Sequence, residues 1–392
     1  MKDSGIPWIG AIPEHWKVEK AKNMFSLRTS KGNDVLEHLA ATQTHGMYPQ
    51  RLLEGVVQVA INTDYTQFRT VHKNDYVISL RSFQGGFEIS EYEGVCSPAY
   101  QVFYNQIPIC HNYFKVLFKS VSFIEFMNSL TVGIREGKNI QFTDFARSYI
   151  PVPPLAEQER IASYLDAKCG EIDELIDVEQ QMITDLESYR QAVITEAVTH
   201  GLNPSENNTD SGVYWIGYVP SKWHIAKMKY FITITNGSDP KTEGDVPVYG
   251  SGASSFKTCG EFKEGPTVLI GRKGATLHIP HYIEGRYWNV DTAFDTRVNN
   301  FNLRYFYYLA SSLDYRAYIS ATTLPSMTQS NYENMLIPVP PLAEQQEIAE
   351  YLDTKCSEID ELIKVKQEKI ETLKQYRQSL IFEAVTGKIT IA

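Results

Sequence analysis

Apolar residues recur at helical spacing in two long segments of the chain. Ile161, Leu165, Ile172, Ile176, Ile183, Leu186, Val193 and Ala197 mark the first segment. Ile348, Leu352, Ile359, Ile363, Ile370, Leu373, Leu380 and Ala384 mark the second. Their spacing draws a single apolar stripe along each helix, with Glu, Asp, Gln and Lys on the remaining faces. About 45 helical residues at ~1.5 Å each would span roughly 67 Å. A helix that long with so narrow an apolar stripe needs a partner helix, and its duplicate is the most economical one. Each run is introduced by "PVPP", which favours an extended approach and cannot continue a helix. Each ends near a Gly suited to a C-cap, in "THGLNP" and "TGK".

The pattern elsewhere is different. "VVQVAI", "DYVISL", "TVLIGR" and "YWNVDTAF" are β-branched and aromatic runs bounded by Gly, Asn and Asp, and they predict short strands. "YFKVLFKSVSFIEFMNSL" and "LRYFYYLASSLDYRAYI" have helical spacing and lie late in their regions. Two α+β domains of about 110–130 residues are expected, each large enough for its own core.

The two halves are a duplication. Ile150 to Thr199 aligns with Ile337 to Thr386 at an offset of 187, with 34 of 50 positions identical. "DSGIPWIGAIPEHW" (Asp3 to Trp16) matches "DSGVYWIGYVPSKW" (Asp210 to Trp223) at an offset of 207. Val18 to Tyr149 and Ile225 to Leu336 show no such similarity to each other. The expected order is a first variable domain with its head at 1–150 and a long helix at 151–200. A linker at 201–212 follows, then a second variable domain at 213–337, a second long helix at 338–387 and a tail at 388–392.

Charge follows this division. The net charge is −10. Leu155 to Thr199 has 3 basic and 11 acidic residues, and Leu342 to Thr386 has 6 and 10, so these segments carry −8 and −4. The remainder is therefore +2, mildly basic, which leaves nucleic-acid contact open outside the helices. None of the five cysteines forms a CxxC pair, so neither a disulfide framework nor a Cys-rich zinc site is expected. No long apolar run predicts a membrane span, and "MKDSGIPWIG" lacks the order of a secretory leader. A cytoplasmic, reduced protein is expected, with no membrane partner.

Catalytic signatures are missing from the sequence. It has no GxxxxGK[ST], no strand-borne GxGxxG, no [ND]PP[YF] and no HExxH. "GVCSP" is not a nucleophile elbow, and the ExK triplets at Glu136–Lys138 and Glu261–Lys263 are expected by chance. Neither a catalytic residue nor a metal site is assigned.

Polar Gly-rich loops remain as candidates. "SLRSFQGGFE" places Arg81, Ser82 and Gln84 beside Gly85 and Gly86. "GIREGKNIQ" supplies Arg135, Lys138, Asn139 and Gln141. "LIGRKGATLH" gives Arg272, Lys273 and Thr276, and "SATTLPSMTQSN" gives Thr322, Thr323, Ser326, Thr328 and Gln329. Arg and Lys can read guanine, Asn and Gln can pair with adenine, and Ser or Thr can hold phosphate. The plainer alternative is a set of ordinary surface hairpin turns. The aromatics Tyr305, Phe306, Tyr307, Tyr308, Tyr315 and Tyr318 could stack on bases, but their helical spacing fits a core better. Cys169 and Cys356, equivalent in the repeat, are read as packing residues.

The WIG-x-x-P-x-x-W head, the variable insert, "IPVPPLAEQ" and the "EIDELI" and "EAVT" runs, all duplicated, resemble the specificity subunit of type I restriction-modification enzymes. The resemblance covers essentially the whole chain. It implies two target recognition domains, each reading one half of an asymmetric bipartite site in double-stranded DNA, with an antiparallel coiled coil setting their spacing. It also implies docking of two methylation subunits and, in the full complex, two restriction subunits. S-adenosylmethionine, ATP and Mg would then belong to those partners, and this chain would hold no cofactor and not be an enzyme by itself. "GRKG", "DTAF" and "PVYGSG" make the second insert similar to a common recognition-domain type. The first insert lacks them, so two different half-sites are expected. A coiled-coil scaffold joining two domains that bind ligands other than DNA is the alternative.

Overall fold

A computed structural model describes the chain except residues 33–36, 54–64, 132–139, 204–206, 253, 317, 319–324 and 392. The expected strand "VVQVAI" lies outside the described residues. The chain divides into two compact units. Unit 1 is Met1–Glu179 with Glu368–Ala392, and unit 2 is Gln180–Gln367. Each unit therefore combines one variable region with the beginning of one long helix and the end of the other.

In unit 1, strand Lys17–Lys20 pairs antiparallel with Tyr149–Val152, which runs into "PVPP". The variable region is thus closed at its base by the two segments that flank it. Its main sheet has four strands in the order Phe25–Leu27, Gln101–Asn105, Tyr76–Ile78 and Glu88–Ile89. Helix His111–Lys119 packs on this sheet, and Ser120 separates it from helix Val121–Leu130. The aromatic-rich run with helical spacing therefore forms two helices. Its apolar faces meet Phe25, Tyr76, Phe87, Phe103 and Phe145 in a core of interlocked rings. Phe25 lies edge-on to Phe103 and Phe114 at 5.6 and 5.4 Å. Burial of each such ring contributes about 1.5–3 kcal/mol.

Unit 2 repeats this plan with other residues. Strand His224–Lys227 pairs with Leu336–Val339. The four-stranded sheet runs Ile232–Asn236, Ala293–Val298, Thr267–Gly271, His281–Ile283. A second four-stranded sheet carries Val246–Tyr249 beside Arg286–Asn289. "YWNVDTAF" is thus divided between two sheets by a turn at Asp291 and Thr292, where it had read as one strand. The region read as linker contains strand Asn208–Asp210, paired with Tyr218–Pro220.

The long helices are Leu155–His200 and Leu342–Val385. Both are followed by a Gly with positive φ, Gly201 at 78° and Gly387 at 71°. Of the stripe residues, Ile161, Leu165, Ile172, Ile183, Ile348, Leu352, Ile359, Ile370 and Leu380 are buried. Ile176, Leu186, Val193, Ile363 and Leu373 are half-buried. Near the end of the first helix the burial maximum passes from Val193 to Ile194, because Ile194, Ala197 and Val198 join the core of the variable region in unit 2. The helices run antiparallel within each unit. In unit 1, Arg377 pairs with Asp173 and Lys369 with Glu179. In unit 2, Arg190 pairs with Asp360. Arg190 and Arg377 are repeat equivalents, as are Asp173 and Asp360, so each unit matches an Arg from one copy with an Asp from the other. Where exposed, such pairs contribute about 0–1 kcal/mol and act mainly on register.

Candidate nucleic-acid interface

Strand register places the two basic loops at one topological position. In unit 1, Tyr76 opposes Phe103 and Ile78 opposes Gln101. In unit 2, Leu269 opposes Asp295 and Ile270 opposes Phe294. Superposing the sheets by strand order aligns Ile78 with Ile270. The segments that follow, "SLRSFQGG" and "GRKGATL", each connect that strand to its edge neighbour. The register aligns Arg81 with Lys273. Two inserts with little sequence similarity therefore present a cation at the same strand end.

Within unit 2 the loop surface is composite. Arg272 N–H donates to Thr292 O at 2.8 Å, and Gly274 N–H to Pro325 O at 3.0 Å. Lys273 bridges to Ser326, and Thr276 Oγ1 donates to Ser251 O at 2.6 Å. Four sequence-distant loops are thereby fixed to one another. Gly274 has φ +124°, and a Cβ there would lie 2.8 Å from Ser251 Oγ, so the close approach needs glycine.

The side chains serve different purposes. Lys273 is exposed. Arg272 is half-buried. Its Nη1 donates to Asp291 O at 3.2 Å, and its guanidinium lies 5.8 Å from the Phe294 ring centroid. That packing fixes the side chain before any ligand arrives. Thr276 and Ser251 are occupied in holding the loops. Gln329 begins helix Gln329–Asn334 and donates to Glu333 at 2.8 Å, while Thr328 caps that helix through Asn331 N–H. In unit 1, Arg81 and Gln84 are exposed. Ser82 is 1 % exposed, and its Oγ accepts from Ser79 N–H at 2.9 Å, so it shapes the turn and is withdrawn from the surface. Gly85 lies against Gln43, at the tip of the hairpin Leu39–Thr42/Gly46–Pro49. Gln141 is exposed and accepts from Gln101 Nε2 at 3.2 Å. Arg135, Lys138, Asn139, Thr322 and Thr323 lie outside the described residues.

Sequence reasoning did not single out Gln43 or Ser251. The hairpin signal around "ATQTHG" and the glycines of "PVYGSG" were the available clues. The aromatic cluster is core. Tyr305, Phe306, Tyr308 and Tyr315 are buried, and burial drives the Tyr305 and Tyr308 hydroxyls well above the usual tyrosine range. Cys169 and Cys356 are buried as well, and burial raises both thiols.

The repeated "PVPPLAEQ" has a structural job in both copies. Gln158 is 3 % exposed. Its Oε1 accepts from Cys110 N–H at 2.9 Å, and its Nε2 donates to Pro153 O at 3.0 Å. Gln345 is 1 % exposed and makes the same pair of bonds, with Asn302 N–H at 2.8 Å and Pro340 O at 2.9 Å. Cys110 and Asn302 are the N-caps of helices His111–Lys119 and Leu303–Ser312. The other anchor of each helix is a tyrosine. Tyr113 donates to Val385 O at 2.9 Å, and Tyr305 to Val198 O at 3.1 Å. Val198 and Val385 are the equivalent valines of "EAVT". Each variable region is therefore held by "PPLAEQ" of one copy and "EAVT" of the other. The variable regions do share a motif, Tyr-Phe-x-x-Leu at Tyr113–Leu117 and Tyr305–Leu309, which no constant offset of 187 or 207 would reveal.

A fixed helical frame carrying two versions of one sheet, each offering a different basic loop surface, defines a two-headed recognition protein. The chain matches the family model described as type I restriction modification DNA specificity domain twice, over residues 13–188 and 220–372, and it belongs to that family. The putative type I restriction enzyme MjaX specificity subunit of Methanocaldococcus jannaschii is 23% identical over 98% of this chain and 96% of its own length. The EcoBI specificity subunit of Escherichia coli is 35% identical over 24% of this chain and 21% of its own length. Among solved structures, a chain from work on complex assembly and conformational transition of the type I R-M system aligns with a TM-score of 0.71. It is 18% identical, over 97% of this chain and 100% of that one. The HsdS subunit from Thermoanaerobacter tengcongensis aligns at 0.55 and 17% identity, over 96% of this chain and 98% of its own. At these identities the structural matches establish the fold: two α/β target recognition domains carried by two long antiparallel helices. Among the described residues, no helix is long and apolar enough to cross a membrane.

Proposed function

We propose that each recognition domain reads one half of an asymmetric bipartite DNA site through the loops at the matched strand end. Arg81 and Gln84 belong to one reading surface, and Arg272 and Lys273 to the other. The observation that carries this reading is the combination of equivalent position and different sequence. A duplicated scaffold need not differ at one strand end unless that end meets different targets. Arg can take guanine O6 and N7 bidentately, and exposed Gln can pair with adenine. Gln141, Ser326 and Gln329 are the other candidates among the described residues, and Arg135, Lys138, Asn139 and Thr322 are candidates by side-chain chemistry alone. Ser82 and Thr276 act on loop shape.

The long helices serve as docking faces for two methylation subunits, with two restriction subunits joining the full assembly. Leu175 and Val178 of the first helix are 48 % and 49 % exposed, and their repeat equivalents Leu362 and Val365 are 52 % and 51 % exposed. Two like patches suit two like partners. The surrounding acidity suits a basic partner surface, and partner cations would supply phosphate neutralisation that this chain lacks. The chemistry is assigned to those subunits: adenine methylation with S-adenosylmethionine, and cleavage with ATP and Mg. This chain acts without a cofactor of its own. The test is co-expression with methylation and restriction subunits, followed by sequencing of methylated adenines. An asymmetric two-part motif that disappears with this chain is expected. Methylation that persists unchanged without it would refute the proposal.

A further inference from the structure

The anchored helix is secured differently in the two units. In unit 2, Arg304 Nε donates to Asp353 Oδ1 at 2.6 Å, and the Tyr308 hydroxyl donates to the same oxygen at 2.6 Å. The Arg304 guanidinium lies over Tyr282 and Tyr307, with centroids at 4.5 and 5.0 Å. Stacked and ion-paired, this arginine ties the recognition domain to the second long helix.

The matched anchors fix the counterparts in unit 1. Cys110 corresponds to Asn302 and Tyr113 to Tyr305, so Asn112 stands for Arg304, Lys115 for Tyr307 and Val116 for Tyr308. Strand register puts Ile89 in the place of Tyr282. Asp166 stands 187 residues before Asp353 and is the only member retained. The cation, the rings beneath it and the hydroxyl have all been replaced.

A cleft of about 770 Å³ lies at this place in unit 1, lined by Asn112, Val116, Glu159 and Asp166 among others. Three acids on its wall are already matched, Glu88 by Lys119, Glu91 by Lys115 and Asp173 by Arg377. Glu159 and Asp166 are exposed and have no ion pair among the described residues. The cleft therefore keeps an acceptor whose natural donor, judged by the second copy, is a guanidinium.

We infer that Asp166 receives an arginine side chain presented by the docked methylation subunit, entering where unit 2 supplies its own Arg304. This inference rests on the docking role proposed for the long helices. The occupant is a segment with an arginine beside an apolar residue, since Val116 and Ile89 leave apolar wall where unit 2 has rings. It makes the two recognition domains unequal in how they join the complex, although their helical frames match.

The test measures affinity of the full chain for the purified methylation subunit by titration calorimetry, with thermal unfolding as the folding check. Asp166→Ala alters an exposed carboxylate and should leave the unfolding midpoint unchanged while raising Kd about tenfold, the loss of one charge-assisted contact. Asn112→Arg combined with Val116→Tyr transplants the unit 2 clamp, occupies the cleft from within and should weaken binding by a similar factor. If Asp166→Ala does not fold, the double substitution decides. Unchanged affinity in the folded variants overturns the assignment while leaving docking on the helices intact. Absence of binding by the unsubstituted chain overturns the docking reading and this inference with it.

Discussion

Replacing Gln158 by Ala isolates what "PPLAEQ" contributes. The change removes two hydrogen bonds from a side chain that is 3 % exposed. Pro153 O then lies buried without its donor, at a cost of about 1–3 kcal/mol. Cys110 N–H is only partly buried, so water can replace some of its bond, and ~1 kcal/mol is appropriate there. The sum, ~2–4 kcal/mol, falls on helix His111–Lys119, whose N-terminus loses its acceptor. Native-state hydrogen exchange resolves such local opening. Protected amides of that helix should exchange about 30- to 700-fold faster, at ~1.4 kcal/mol per factor of ten. Gln345→Ala should do the same to helix Leu303–Ser312 and leave His111–Lys119 unaffected. If Gln158→Ala accelerates neither helix, or both equally, the anchoring role assigned to this glutamine is wrong.

Three further outcomes follow from the geometry. Tyr113→Phe and Tyr305→Phe each remove one hydroxyl bond to a helix-end carbonyl and should each cost ~1 kcal/mol in denaturant unfolding, with similar values for the two. Asp353→Ala strips the acceptor from the buried Tyr308 hydroxyl and should destabilise unit 2 by about 1–3 kcal/mol, seen as a lower unfolding midpoint. Burial lowers the pKa of both His111 and His281, so the unfolded chain binds protons more readily than the folded one. Their contribution is present above the ordinary imidazole value near ~6.5 and is lost as pH falls from there through the lowered folded values. The thermal midpoint should drop over that window, and less steeply in the His111→Asn/His281→Asn variant.

Much of the frame was legible in sequence because exact repetition and 3.6-residue periodicity survive without tertiary information. Ile161 through Leu380 were recognisable as a packing stripe, and "PVPP" as the boundary where extended chain gives way to helix. The purpose of Gln158 and Gln345 was not legible, because their partners Cys110 and Asn302 lie in regions that share almost no sequence. The common sheet was hidden for the same reason: Phe25 and Ile232 fill like positions with unlike side chains. The break at Ser120 and the turn inside "YWNVDTAF" escaped because hydrophobic pattern alone does not say which sheet a strand joins. Among candidate reading residues, Arg81, Gln84 and Lys273 came from loop composition and are exposed. Ser82 has the right chemistry but is turned inward by a local bond to Ser79, which composition cannot reveal. Arg272→Ala bears on this distinction. If Arg272 reads a base, it should cost ~1–3 kcal/mol in DNA binding by the assembled complex and relax one position of one half-site, whereas equal loss on every sequence would mark a phosphate contact.

The most direct measurement of sequence reading is an exchange of Ile225 to Leu336 for the corresponding region of another specificity subunit. The hybrid is expressed with its methylation partners, and methylated adenines in host DNA are sequenced. One half of the bipartite motif should change to that of the donor, with the other half retained. A motif unchanged in both halves would contradict the assignment of DNA specificity to the variable regions.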